Sequence, residues 1–124
     1  QCVGQAVRTG AVSGTLYTAH LGHVAREDLI THVADFLLQL EEITWSVVSG
    51  IVHGDVVVSV RNLGDSRNAG EFVKREFGDI GSAGGHRAMA KAVAPTDRFE
   101  QKFGPLDPER IQATTHELAA RFLE

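Results

Sequence analysis

Hydrophobic positions along the chain recur at two spacings, and the switches between them mark out its elements. From Thr9 to Leu21 small and β-branched residues predominate, broken by Gly10 and Gly14, which predicts a strand. Asp28 is placed as a helix N-cap. Leu29, Ile30, Val33, Ala34, Phe36, Leu37, Leu38 and Leu40 follow it at helical spacing, and so wide an apolar face predicts a well-buried helix. Ile43 to Val52 reads as a strand, His53-Gly54-Asp55 as a tight turn, and Val56 to Arg61 as the returning strand of a hairpin. Alternation in that second strand sends Val56, Val58 and Val60 to one face and Val57, Ser59 and Arg61 to the other.

Asn68 and Glu71 have capping-box spacing, and Ala69, Phe72, Val73 and Phe77 continue at helical spacing as far as Gly78. A glycine-rich loop at 81–85 comes next, then a short turn of helix from His86 to Met89. Ala90 to Ala94 fits either a continuation of that helix or a strand, and the polar stretch 95–104 reads as loop. Asp107-Pro108 opens a last helix whose apolar stripe is Ile111, Leu118, Ala119, Phe122 and Leu123. Strands and helices alternate without a regular β-α-β rhythm. The expectation is an α/β fold of the α+β type, a mixed β-sheet with helices packed on its faces.

With 124 residues the chain can bury one core, so residues 1–124 are expected to be a single domain. Met89 is the only methionine, which suggests a domain excised from a longer protein. No apolar run reaches the roughly 18 residues of a membrane span, and the lone Cys2 cannot form an internal disulfide, so a soluble, cytoplasmic protein is expected. A net charge of −4 argues against blanket neutralisation of duplex phosphates. The charge is uneven: residues 61–91 carry six bases against four acids, whereas residues 1–60 carry two against six. An anion site is therefore sought in the middle stretch.

Gly81-Ser82-Ala83-Gly84-Gly85 admits close approach to backbone N–H groups, and a helix starting just after it adds unpaired donors: the outline of a phosphate cradle. His86 and Arg87 would add a ring donor and a forked cation. The competing reading is a glycine turn required by packing. Arg61, sharing a strand face with Ser59, lends support to the first. A metal site at His20, His23, Asp28 and His32 is disfavoured because the segment runs from strand to loop to helix. A Ser82 nucleophile is disfavoured because no G-x-S-x-G elbow is present. Trp45 and the phenylalanines fall where core residues belong.

A strand ending Ser59-x-Arg61, a capped helix, and a glycine loop ending Ala83-Gly84-Gly85-His86 together resemble the DHH-associated domain of DHH-family phosphoesterases. The likeness covers residues 43–95 best, with alanine at the first glycine of the usual G-G-G-H and Lys91 where glycine is frequent. It implies that Arg61, Gly84, Gly85 and His86, with Ser59 and Arg87 as weaker candidates, hold the phosphate end of a short single-stranded nucleic acid or phosphorylated nucleotide. It implies also a partner, an N-terminal DHH domain of the same chain, carrying a manganese centre. No D-H-H triplet occurs here, so no metal and no catalytic residue is assigned to this fragment, and any hydrolase activity is expected only of the parent protein. Oligoribonucleotides, 3′-phosphoadenosine 5′-phosphate, cyclic dinucleotides and polyphosphate are all open as substrates. The alternative is a non-catalytic RNA-binding module like the C-terminal domain of alanyl-tRNA synthetases. Apolar surface left open by excision is a route to a homodimer.

Overall fold

A valine-rich hairpin forms the middle of the fold. In the computed structural model, which describes residues 3–64 and 67–124, β3 (Trp45–Val52) and β4 (Asp55–Asn62) pair antiparallel over their full lengths. His53 and Gly54 both take positive φ, 47° and 83°, as the two central residues of a right-twisted hairpin turn require. Nearly every residue of the two strands is buried, because helices cover both faces.

Around this hairpin the sheet grows to six strands, in the order β1-β2-β3-β4-β6-β5, from β1 (Ala11–Ser13), β2 (Leu16–His23), β5 (Ser82–Gly85) and β6 (Met89–Pro95). β2 runs parallel to β3 and all other neighbours are antiparallel. The sheet is therefore mixed, with helices on both faces.

One face carries α3 (Ala69–Phe77), α4 (Thr96–Phe103) and α5 (Pro108–Phe122) over Val56, Val58, Val60, Ala90, Ala92 and Ala94. Its centre is aromatic: Phe72 meets Trp45 edge-on at 6.2 Å and Phe122 at 5.3 Å between ring centroids. The opposite face carries α1 (Val3–Arg8) and α2 (Glu27–Leu37) over Leu21, Val48, Val52 and Val57.

Several local expectations are corrected. The strand expected over Thr9 to Leu21 is a hairpin, β1 and β2, folded at Gly14 with φ of 59°. Asp28 is not the cap of α2: Arg26 holds that position, and Asp28 pairs with its guanidinium at 2.8 Å. That helix ends at Leu37, and its buried face is Ile30, Val33, Ala34 and Leu37, which leaves Phe36 on the other side, 53% exposed rather than buried. Residues 96–103 are helix α4, not loop, because Phe99 and Phe103 are one turn apart and dock beside Phe77. The glycine loop and the helical turn after it are strand β5 and a connection into strand β6. Cys2 lies outside the described residues.

Asn68 caps α3 as its spacing indicates, its Oδ1 accepting the Glu71 N–H at 3.0 Å. Asn68→Ala is expected to cost about 1 kcal/mol, read as a lowered urea midpoint with an unchanged slope. Among the described residues no helix is long and apolar enough to cross a membrane.

Candidate anion-binding groove

Strand alternation and sheet order bring the predicted residues together across three strands. Ser59 pairs with Lys91 and Lys91 with Gly84, so a single cross-strand row on the α2 face runs from β4 through β6 to β5. The next row places Met89 opposite Arg61. Between them lies a groove of about 280 Å³ lined by Ser59, Arg61, Gly84, Gly85, His86, Met89, Ala90 and Lys91. Five of the six residues expected at a site line it.

Arg61 is the most constrained of these residues. Only 7% exposed, it needs compensation for its buried charge, and Asp35 of α2 supplies it: Oδ1 accepts from Nε at 2.6 Å. Nη1 donates to the Val60 carbonyl at 3.0 Å and to Ser59 Oγ at 3.3 Å. Among the described residues no partner is found for Nη2. Ser59 thus braces the guanidinium from below, leaving one edge of the fork toward the groove.

Lys91 forms an ion pair with Glu27, one of the first residues of α2. Sequence reading missed both α2 carboxylates. They become partners only because α2 packs on β3 and β4, with its first residue reaching Lys91 of β6, and no local spacing records that.

The glycines divide by role. A Cβ on Gly81 would sit 2.1 Å from the Val93 carbonyl oxygen, and one on Gly85, whose φ is 147°, would sit 2.4 Å from that of Met89. Those two are glycines because backbone passes them closely. A Cβ on Gly84 would meet nothing within 4 Å. It would enter the groove.

The expected cradle at a helix N-terminus is replaced by a different arrangement. The glycines lead into strand β6, not into a helix. The nearest helix start is that of α3, and its donors are taken: Ala69 N–H binds the Arg87 carbonyl at 3.1 Å, Gly70 N–H the His86 carbonyl at 3.0 Å, and Glu71 N–H the Asn68 side chain. The His86-Arg87 segment is thereby docked on α3. Asn62, 3% exposed, ties the same region together, donating to the Arg67 carbonyl at 2.8 Å and the Arg87 carbonyl at 3.0 Å. Its spacing gave no hint of this.

His86 is exposed, its Nδ1 accepting the Ala88 N–H at 3.2 Å, which leaves Nε2 toward solvent at the groove. Arg87 does not line the groove; its Nη1 donates to the Gly64 carbonyl at 2.6 Å. The basic excess of residues 61–91 is likewise spread over both faces. Arg67 and Arg75 lie over the Phe122 ring, 5.9 and 5.2 Å from its centre.

The four residues considered for a metal site are separated. His20 faces α5, is 3% exposed and accepts or donates a 2.7 Å hydrogen bond with Ser49, while Asp28 and His32 sit on α2 across the sheet. Burial, with His23 adding to it, pushes His20 down to about 4, and burial also lowers His116. Among the described residues no three His, Cys, Asp or Glu side chains converge as a metal would require. This donor set does not fit a two-metal centre. A hollow of about 780 Å³ beside His20 has Glu109 and Glu117 in its wall and no lysine or arginine, so it lacks the chemistry to hold a phosphate.

No family model matches the chain. An uncharacterised protein of Methanocaldococcus jannaschii is 32% identical over 114 residues, a match that covers 91% of this chain and 22% of that protein. An exopolyphosphatase-related protein from Bacteroides fragilis superposes with a TM-score of 0.65 at 13% identity, over 94% of this chain and 33% of that one. The C-Ala domain of Aquifex aeolicus alanyl-tRNA synthetase superposes at 0.60 with 18% identity, over 89% of this chain and 97% of that domain. The chain has the fold of a DHH-associated domain. In this DHH-associated-domain fold the Ser59-x-Arg61 strand and the Gly84-Gly85-His86 segment are neighbours through β6, although more than twenty residues separate them in the chain. The chain spans about a fifth of the Methanocaldococcus relative and a third of the Bacteroides protein.

Proposed function

We propose that this chain is the substrate-binding domain of a metal-dependent phosphoesterase acting on short oligonucleotides or phosphorylated nucleotides in the cytoplasm. The observation that carries the reading is the Nη2 of a braced, buried Arg61, without a partner among the described residues, in a groove that also contains His86, Lys91 and an uncovered Gly84. A guanidinium held this way presents a fixed donor edge to a phosphate oxygen, and the small residues of β5 let that phosphate come close. His86 Nε2 adds a second donor or acceptor at the rim. These residues bind and orient. A manganese centre that activates water belongs, on this reading, to a separate N-terminal DHH domain of the parent protein, against which this groove would close.

Titration calorimetry with a 5′-phosphorylated dinucleotide tests the reading. Arg61→Lys, which keeps the charge and loses the fork, and His86→Ala, which alters an exposed side chain, are each expected to weaken binding about tenfold, equivalent to about 1.4 kcal/mol. Added manganese is expected to produce no hydrolysis by this chain alone. Binding indifferent to both substitutions removes the groove from consideration.

The near-complete overlap with the C-Ala domain favours a second reading, a non-catalytic RNA-binding module. Tight binding of a structured RNA hairpin, unaffected by Arg61→Lys and His86→Ala, would select it.

A further inference from the structure

We infer that Glu27 and Asp35 of α2 set the charge selectivity of the groove, matching it to a singly charged phosphodiester beside a nucleobase and against polyanions. The inference rests on the phosphate-binding reading of the groove. Two cations line it, and both are already paired: Arg61 with Asp35 at 2.6 Å, and Lys91 with Glu27. The four formal charges cancel.

A single negative charge can sit at the free edge of Arg61 without displacing either carboxylate. A chain of adjacent phosphates gains no such match, because both the lysine and the arginine of the lining already have a carboxylate partner and each further negative charge meets no unpaired cation among the described lining residues. Asp35 is not free to withdraw, since its departure would leave a buried guanidinium without a counter-charge.

The remaining lining is neutral and largely hydrocarbon: Gly84, Gly85, Ala90 and Met89. Met89 is 42% exposed and is the cross-strand neighbour of Arg61. A polarisable thioether beside the guanidinium offers a face to an aromatic ring, which a nucleotide has and an inorganic phosphate chain lacks. Charge balance and apolar lining thus point to the same ligand class.

Calorimetric titration of the full chain with a 5′-hydroxyl dinucleotide, which has one diester phosphate, and with inorganic tripolyphosphate, at equal ionic strength, decides the matter. The diester is expected to bind more tightly. In a Glu27→Gln variant, which keeps side-chain shape and one acceptor oxygen and leaves the Arg61–Asp35 pair intact, tripolyphosphate is expected to gain about fivefold while the diester changes by less than about twofold. Tighter binding of tripolyphosphate by the unaltered chain, or a preference that Glu27→Gln leaves unchanged, overturns the inference while the groove remains a phosphate site. If neither ligand binds, the inference falls together with the reading on which it rests.

Discussion

Gly84→Leu is expected to weaken binding of a phosphorylated dinucleotide by at least about 100-fold with no loss of folding stability. The reasoning rests on the difference between neighbouring glycines. A side chain at position 84 meets no atom within 4 Å, so the fold has room for it, and its direction is that of Lys91 and Ser59, into the groove. A leucine there takes up a large share of a 280 Å³ space. Gly85→Ala serves as the contrast, because its Cβ would lie 2.4 Å from the Met89 carbonyl oxygen and its φ of 147° strains any L side chain. That variant should lose stability whether or not it binds. Calorimetry for affinity and urea unfolding for stability separate the two cases. Unchanged affinity in Gly84→Leu would mean that the ligand binds elsewhere.

Acidification should destabilise the fold through His20 well before most carboxylates titrate. Desolvation, helped by the charge of His23, holds His20 at about 4, whereas its unperturbed value is 6.5. Because the folded-state value is depressed, the unfolded chain binds a proton between those limits that the folded chain refuses. Stability is therefore full above about 6.5, falls with pH through the window, and stops changing below about 4 as far as this group is concerned. The loss is on the order of 3 kcal/mol across the whole window. His116, also lowered by burial, adds in the same direction. Urea midpoints measured from pH 7 to pH 5 should decline in the unaltered chain, and His20→Gln should flatten most of that slope. Equal slopes in the two proteins would exclude His20 as the source.

What could be read from sequence was what local chemistry determines. The Asn68 cap, the His53-Gly54 turn, the Asp107-Pro108 helix start and the alternation that puts Ser59 and Arg61 on one face all depend on residues within a few positions of each other. β5 was missed because Ser82-Ala83-Gly84-Gly85 has no side-chain pattern to show; it is a strand because β6 offers it a partner. α1 and α4 were missed because each carries too few apolar residues to stand out, Ala6 with its neighbours Val3 and Val7 in one case, Phe99 and Phe103 in the other. The site divides in the same way. Its residue types were visible, but Asp35 and Glu27, which decide how Arg61 and Lys91 are held, enter only when α2 is laid over the sheet. Asn62, which fastens the end of β4 to the His86-Arg87 segment, belongs to the same class.

Strand order and chain order disagree at one place in the sheet: β5 comes before β6 in the chain but lies outside it. β5 therefore pairs only with β6, its antiparallel neighbour in the chain, and stands at the edge of the sheet. It is made of small residues that bury little apolar surface, so it gains little from remaining in place once there. The wall of the groove thus depends on a single strand partner and on its packing against α3. A ligand resting on Gly84 would give this edge strand a second partner.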